Sequence, residues 1–456
     1  MSMKKVCLKR VIIFLMVSLF FALFIGDDSY AASRKKYDTV MKSYAKMIKE
    51  NSVKTSGGFQ STDKYASKRL IVGVRRGNKV NFNKYKAKAI IGGLDNYYII
   101  QFDSAKAART AAKKMKKLKS VVGVIPDRTL SIDSTGASKA LSWGSDAIGI
   151  RTFSEYVGTK TSKKITVAVI DTGVAYNSRL NSRTLKGADF TTEMKKSGRV
   201  VKAGHGTHVA GIIIDSTPGL NVNILPIRIS CSENGDLNIG NLVVGLEYAV
   251  NYGAKVINLS LSYEGDEEDR TFFKNYFSDI VRRHDCVVVV SAGNGDAETG
   301  EPQDINKEMI YPACLSDVIT VGAVKSNNKR AAFSNYGKSL DVVAPGVQIK
   351  STWLNNSTYT MDGTSQAAPY VSAMAAIYRL LYPEKKALEI KSLITGNTVD
   401  LGTPGWDKYY GNGLVTAPDR VEQLKRNRAL KTYSEILSNS KSLYGDSNYT
   451  KYFGLI

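Results

Sequence analysis

The sequence predicts an α/β protein: a large domain with a mainly parallel sheet covered by helices, preceded by a small α+β domain. After about residue 143, continuous apolar runs alternate with helical stretches, which is typical of parallel strands buried on both faces. Before that point, strands flank one amphipathic helix within about 60 residues. The chain has 456 residues, of which 43% are hydrophobic and 23% charged. That composition supports a packed core and excludes wholesale disorder.

The elements of both domains follow from local patterns. In the small domain we predict strands over 70–74, 89–91, 97–102 and 121–125, a helix over 104–119, and a Ser/Thr/Gly-rich linker over 129–139. In the large domain we predict strands over 165–170, 223–229, 256–261 and 287–290, with helices over 208–214 and 237–252. A further apolar stretch, 367–382, predicts a buried helix.

The N-terminus has the features of a secretory signal peptide. Residues 11–25 are uncharged and apolar, follow four basic residues, and lead to small residues near Ala31. We therefore predict a signal peptide over 1–31 and a protein that is secreted, extracellular or associated with the cell envelope. The alternative is an uncleaved membrane anchor, although 15 residues are short for a membrane span. Once the signal is removed, we expect no stable membrane span.

Positive charge is concentrated in one segment. The formal net charge is +23, but residues 33–133 hold 24 Lys and Arg against 7 Asp and Glu, whereas residues 134–456 hold 36 against 32. The basic segment has no zinc-finger spacing and no aromatic signature of an RNA module, so we expect no nucleic-acid partner. Beyond Cys7 of the signal, the odd set Cys231, Cys286 and Cys314 excludes a disulfide framework. Cys286 opens an apolar run and is expected to be a buried free thiol.

Four short motifs place polar side chains at the ends of predicted elements, where parallel sheets gather functional groups. They are Asp171-Thr172-Gly173, Gly204-His205-Gly206-Thr207-His208, Ser291-Ala292-Gly293-Asn294-Gly295 and Gly363-Thr364-Ser365. The chain order Asp, His, Ser in these Gly-rich contexts resembles the subtilisin-like serine protease family. The match covers residues 165–369, and residues 410–415 are similar to the family's closing segment.

The resemblance implies a serine endopeptidase with an Asp-His-Ser triad. Ser365 would attack the peptide carbonyl, His205 would take its proton, and Asp171 would hold the imidazole. The Asn294 side chain would donate to the oxyanion, together with the backbone N–H of Ser365. Singly, these residues have ordinary alternatives: a strand-end turn Asp, a left-handed turn Asn and an N-cap Ser. The second histidine, His208, is expected to be structural.

The resemblance also assigns substrate contacts. Ser260, Leu261 and Ser262 would form the strand that pairs with an extended peptide or protein substrate. Ser291, Ala292 and Gly293 would form one wall of the primary specificity pocket. The family usually has Gly at the two positions of Ser262 and Tyr263, and a tyrosine there could narrow the distal subsites. An acidic loop over 296–308 would either select basic substrates or simply be solvated.

We expect no cofactor and no metal. Many relatives bind Ca²⁺ through a loop after the His helix and an acidic residue in a matching segment. Here the loop over 212–226 is short, and Arg179 stands where a carboxylate is needed.

The predicted organisation follows from these assignments. The signal peptide (1–31) precedes a propeptide (32–133) whose part over about 69–133 is similar to the family's ferredoxin-like inhibitor domain, with an abbreviated first helix. The catalytic domain spans 134–425 and a tail spans 426–456. We thus predict a secreted zymogen inhibited by its own propeptide. A dedicated processing protease, for example a leader peptidase of modified peptides, and an inactive binding module are the alternatives to a broad degradative enzyme.

Overall fold

The computed structural model of the protein describes residue 65 and residues 68–92, 96–127, 129–132, 142–191, 203–230, 237–296 and 298–418. All of them belong to one compact unit, residues 52–456. The predicted signal peptide, residues 32–64, Cys231 and the predicted tail lie outside this described part. Within it, no helix is long and apolar enough to cross a membrane.

Residues 68–127, called the small subdomain below, form a four-stranded antiparallel sheet with one helix. The strands are β1 (Arg69–Val74), β2 (Ala89–Gly92), β3 (Tyr97–Gln101) and β4 (Val121–Pro126), in the order β2-β3-β1-β4, and the helix is α1 (Ala105–Met115). The Ser104 side chain caps α1 by accepting from the Ala107 backbone N–H at 3.1 Å. The abbreviated first helix is a single 3-10 turn, Phe82–Tyr85. This α+β arrangement agrees with the sequence-based expectation.

Residues 142–418, called the main body below, are built around a nine-stranded sheet. The strands are β6 (Lys164–Asp171), β7 (Ala188–Asp189), β8 (Asn221–Arg228), β10 (Val256–Leu259), β12 (Val287–Ser291), β14 (Ile319–Val324), β15 (Val342–Pro345), β18 (Thr398–Val399) and β19 (Leu414–Val415). Their order in the sheet is β18-β19-β15-β14-β12-β10-β6-β8-β7, and every neighbouring pair is parallel except β18 with β19.

Seven α-helices of the main body lie within the described residues. They are α2 (Gly144–Ala147), α3 (Ile150–Gly158), α4 (Gly204–Asp215), α5 (Ile239–Asn251), α6 (Glu267–Ser278), α7 (Thr364–Leu381) and α8 (Ala387–Gly396). Six further strands of the described residues are β5 (Thr129–Ile132), β9 (Leu237–Asn238), β11 (Leu261–Glu264), β13 (Ile310–Tyr311), β16 (Ile349–Thr352) and β17 (Thr358–Met361). They form two small sheets, with the orders β13-β11-β5-β9 and β16-β17.

The large domain is the mainly parallel α/β sheet that the sequence predicts, because its central strands are β-branched and fully buried. Two details differ. The strand predicted over 256–261 breaks at Ser260, so that β10 stays in the large sheet while β11 joins a small one. The linker predicted over 129–139 contains β5, so that prediction is wrong for residues 129–132.

Candidate active site

Three polar side chains lie at the ends of elements of the main body. Asp171 is the last residue of β6, His205 is the second residue of α4, and Ser365 is the second residue of α7. Their residues are almost completely buried. The parallel sheet explains this placement, because its strands end at one edge and the helices that follow begin there.

The His205 imidazole is held by the Asp171 carboxylate. Its Nδ1 lies 2.8 Å from Oδ1 and 2.9 Å from Oδ2 of Asp171. A carboxylate only accepts, so Nδ1 carries the proton and Nε2 is the basic nitrogen. The carboxylate also accepts from the Thr172 backbone N–H at 2.6 Å. A side chain at Gly206 would collide with the Gly173 carbonyl oxygen, so only glycine lets α4 come this close.

Ser365 and Ser260 exchange two hydrogen bonds. The Ser365 hydroxyl donates to the Ser260 carbonyl at 3.2 Å, and the Ser260 hydroxyl donates to the Ser365 carbonyl at 3.0 Å. The second bond has a backbone cause. Pro369 lies four residues after Ser365 and has no N–H, so the Ser365 carbonyl has no helical donor. The Ser260 hydroxyl takes that donor's place.

Asn294 is oriented so that its amide nitrogen points into the site. Its Oδ1 accepts from the backbone N–H of Thr364 at 2.9 Å and from the Thr364 hydroxyl at 2.8 Å. This fixes the amide, and the buried Nδ2 has no partner within the described part of the chain. Gly293 and Gly295 have positive φ angles of 96° and 89°, whereas Asn294 does not, so the left-handed turn alternative is wrong. A free amide donor beside the N-terminus of α7 suits a developing negative charge.

An extended segment of the same chain lies along the edge next to Ser260. Strand β5 pairs with β11 in antiparallel register, with Ile132 opposite Leu261 and Ser131 opposite Ser262. Its other edge pairs with β9. Ser291 ends β12, which pairs with β10 in the large sheet. The site therefore has a serine hydroxyl, an imidazole and an amide donor beside an edge with which an extended segment of the chain pairs.

Comparison with known proteins decides the family. Residues 162–413, more than half of the chain, match the Subtilase family. The chain belongs to the subtilase family. Subtilases of this kind are serine-type endopeptidases, and peptide or protein chains are their substrates.

Three similar proteins illustrate this assignment. Subtilisin DY of Bacillus licheniformis is 35% identical over 258 residues, which are 55% of this chain and 88% of that protein. Minor extracellular protease Epr of Bacillus subtilis is 30% identical over 263 residues, 56% of this chain but 38% of that protein. Fervidolysin of Fervidobacterium pennivorans, a keratinolytic enzyme related to subtilisin, shares the fold with a TM-score of 0.59 at 23% identity, over 76% of this chain and 60% of its own.

The second histidine of this subtilase is buried in the protein interior. Nε2 of His208 lies 3.0 Å from the carbonyl oxygens of both Ile349 and Tyr359, and its ring meets Trp353 edge-on. Burial, together with the nearby His205, lowers the pKa of His208 to about 3. The neutral ring thus donates to β16 and β17 backbone, in keeping with the structural role expected from the sequence.

The predicted substrate-binding residues lie on two sides of the site. Ser260, Leu261 and Ser262 are buried along the edge that β5 covers. Ser291, Ala292 and Gly293 run past the end of β12, and the Ser262 hydroxyl lies 3.5 Å from where a Gly293 side chain would begin. The structure therefore brings both sets together.

Tyr263 and the acidic loop have local partners. The Tyr263 ring is largely buried and stacks on Tyr311, with centroids 5.7 Å apart. In the loop, the Asp296 carboxylate accepts from the backbone of Glu298 and Thr299, at 3.0 and 2.7 Å. These hydrogen bonds lie within the loop itself. They favour the interpretation that the acidic loop is simply solvated over the interpretation that it selects basic substrates.

Sequence reasoning missed two residues that support Ser260. The Asn258 side-chain amide nitrogen donates to the Ser260 hydroxyl at 3.0 Å, and the Ser372 hydroxyl donates to Oδ1 of the same amide at 2.8 Å. The signal was present, because Asn258 is a polar residue inside the apolar run of β10. A fully buried amide in such a strand needs a hydrogen-bond partner. Here one partner is Ser372, which lies on α7, the helix that also contains Ser365.

The two histidines can be separated by substitution. His205→Ala is expected to lower kcat by several orders of magnitude, because Ser365 loses its proton acceptor. His208→Ala is expected to lower the free energy of unfolding by about 1–3 kcal/mol, because two buried carbonyls lose their donor. Peptide hydrolysis by each variant, after cleavage of its precursor with added wild-type enzyme, and urea unfolding give the two readouts. The reverse pattern would contradict the assignment.

The low pKa of His208 predicts an acid-sensitive stability. Its folded pKa of about 3 lies below the usual unfolded value of about 6.5, so the ring's contribution is complete above about pH 6.5. As pH falls from there toward 3, the unfolded state binds a proton first, and the free energy of unfolding decreases by at most about 1.4 kcal/mol per pH unit. His208→Gln, compared with its parent in the Ser365→Ala background, should flatten this slope between about pH 6 and 4. Parallel slopes in urea unfolding would exclude His208 as the source.

Proposed function

We propose that this subtilase is made as an exported zymogen whose small subdomain inhibits the main body until it is cut off. The observation that carries the proposal is β5, which lies on the β11 edge one residue from Ser260. An intact segment in that position excludes other extended peptides from the same edge. Support for export comes from the apolar residues 11–25 and from a relative whose name describes it as extracellular.

In the mature enzyme, Ser365 Oγ bonds to the substrate's carbonyl carbon while its proton passes to Nε2 of His205. Asp171 stabilises the imidazolium, and the Asn294 amide with the Ser365 backbone N–H stabilises the oxyanion. Collapse breaks the C–N bond, and the proton from His205 goes to the leaving amine. Water then attacks the acyl-enzyme, His205 takes its proton, and Ser365 is released with its hydroxyl restored.

The small subdomain is fitted to the main body by apolar and polar contacts. The Tyr97 ring meets Phe272 and Tyr276 of α6 edge-on, at 5.6 and 4.6 Å, and its hydroxyl bonds to Asp279 at 3.1 Å. A side chain at Gly123 would begin 3.2 Å from the Phe272 Cα, so glycine allows β4 to lie against the helix. These contacts support a bound inhibitor domain.

A buried carboxylate anchors the end of the subdomain. Asp127 accepts from the backbone N–H of Gly240 at 2.6 Å, in the first turn of α5, and pairs with Arg69 at 2.6 Å. A carboxylate at a helix N-terminus is favourable because the orphan N–H groups and the helix dipole attract negative charge. The anchor lies two residues before β5 and so supports the register of that strand.

The register indicates which bond is cut first. Ile132, the last residue of β5, is opposite Leu261, the neighbour of Ser260, whose carbonyl accepts the Ser365 hydroxyl. We therefore propose that Ser365 attacks the carbonyl carbon of the next residue in the sequence, Asp133. The proposed maturation bond is therefore Asp133–Ser134, within the predicted linker.

Maturation gives a direct test of the zymogen proposal. Wild-type protein should begin at Ser134, and Ser365→Ala should accumulate as a precursor that still contains the small subdomain. Edman sequencing and intact mass measurement after expression in a protease-deficient host report both. A start outside residues 128–142 would contradict the register, and efficient processing of the Ser365→Ala chain would contradict autocatalysis.

We also propose that the family's high-affinity calcium site is absent. Only residues 216–220 separate α4 from β8, and Arg179 occupies the position expected to carry an acidic ligand. The Asn177 amide donates to the carbonyls of Trp353 and Ser357, at 3.1 and 3.2 Å. Those contacts give this segment partners other than a cation.

Chelation should therefore leave stability almost unchanged. A site with micromolar Kd in millimolar Ca²⁺ would contribute about 4 kcal/mol, which corresponds to several degrees in Tm. We expect EDTA to shift the Tm of the active-site-blocked mature enzyme by less than about 2 °C. A drop of about ten degrees that Ca²⁺ restores and Mg²⁺ does not would establish a high-affinity site.

A further inference from the structure

The small subdomain has two faces of very different chemistry. Leu70, Val72 and Ile100 point to one side of its sheet, into a core with Phe82 and Met115. The alternate positions of the same strands point to the other side, where Tyr97 and Gly123 meet α6 of the main body. Helix α1 and the 3-10 turn therefore cover the sheet face that points away from the main body.

That outer layer is strongly basic. Residues 68–92 and 96–127 hold 15 Lys and Arg against 2 Asp. On α1 and just after it, Lys106, Lys113 and Lys117 lie opposite the buried side formed by Ala108 and Met115. Together with their exposed neighbours they form a surface that we call the outer basic face: Lys84, Lys86, Lys106, Lys113, Lys114 and Lys117.

The outer basic face is not neutralised by the described part of the chain. None of its six lysines forms an ion pair with a carboxylate among the described residues. Both described acids of the subdomain are engaged elsewhere: Asp103 with Lys88 at 3.2 Å, and Asp127 with Arg69. Lys116, at the end of α1, reaches Glu268 of the main body at 2.8 Å and so does not belong to the face.

The boundary between the basic N-terminal segment and the nearly neutral remainder of the chain falls at the proposed cleavage site. Residues 134–456 are almost balanced, with 36 basic and 32 acidic side chains. Cleavage at residue 133 would separate the outer basic face from the catalytic body. A solvated helix surface needs no such bias, since alternating charges would serve solubility equally well.

We propose that the outer basic face binds the precursor to a bilayer rich in anionic phospholipid, and that maturation releases the main body from it. The membrane is the partner favoured by the chain, because the apolar residues 11–25 lead it to a bilayer before this subdomain. Clustered lysines without local counterions are attracted to anionic headgroups, and salt screens that attraction. The release step rests on the proposed zymogen, whereas the binding step does not.

Vesicle co-sedimentation of the full-length Ser365→Ala chain tests the binding step. The chain should bind phosphatidylcholine vesicles that contain phosphatidylglycerol at least about tenfold more tightly than vesicles of phosphatidylcholine alone, and salt of about 0.5 M should remove the difference. Lys106→Glu, Lys113→Glu and Lys117→Glu together should also remove it. The matched control is the exposed main-body set Lys163→Glu, Lys186→Glu and Lys338→Glu, which changes net charge equally and should retain the preference.

The outcomes separate the possibilities. If both triple variants lose the preference for anionic vesicles equally, the preference depends on net charge and the outer basic face is not the binding surface. The same conclusion follows if the α1 substitutions leave the preference intact. Binding to soluble polyphosphate without binding to anionic vesicles would overturn the membrane as partner. Circular dichroism melting verifies that each variant is folded, and Lys84→Glu with Lys86→Glu provides a second variant outside α1. Vesicle binding by a chain whose wild-type form never matures would contradict only the proposed zymogen.

Discussion

The pair of hydrogen bonds between Ser260 and Ser365 is the constraint on which the rest of the site depends. One bond places the Ser365 hydroxyl on the backbone carbonyl of Ser260, next to β11, and the other supplies the donor that Pro369 cannot give to the Ser365 carbonyl. Ser365 is thereby bonded directly to the residue that precedes β11. Any strand that pairs with β11 therefore has a fixed position relative to Ser365. For this reason the register of β5 supports a particular peptide bond as the proposed cleavage site.

Burial makes this arrangement demanding. Asp171, His205 and Ser365 are almost fully buried, and unsatisfied polar groups at such positions would cost stability. The protein meets the demand with local donors and acceptors: Thr172 for the carboxylate, Asn258 for Ser260 and Thr364 for Asn294. The same low-dielectric surroundings strengthen electrostatic attraction. The positive and negative charges that form during peptide hydrolysis are therefore stabilised more strongly by the fixed dipoles around them. The neutral His208 avoids placing a second positive charge behind His205.

The sequence predicted features that depend on local pattern and missed features that depend on distant partners. Buried β-branched runs predicted the sheet, and the motif order predicted Asp171, His205 and Ser365 as the candidate catalytic residues. The break at Ser260 was missed because residues 256–261 are locally one apolar strand. Ser260 instead exchanges two hydrogen bonds with the distant Ser365. Strand β5 was predicted as linker for the same reason, since its four residues form a strand by pairing with β9 and β11, about 108 and 130 residues away in the chain. The register, and hence the proposed bond, could not be obtained from propensity at all.

The small subdomain illustrates how docking can substitute for a larger core. About 60 residues bury too little apolar surface to be very stable alone, and the described residues of the subdomain supply a helix for only one face of its sheet. The other face is covered by α6, whose Phe272 and Tyr276 contact Tyr97. Its folding is therefore coupled to that of the main body, and part of its stability is binding energy. Cutting the chain after β5 leaves these contacts in place but removes the covalent tether, so the subdomain's own marginal stability determines how readily it leaves. A face rich in unpaired lysines lowers that stability further through mutual repulsion, unless an anionic surface lies against it.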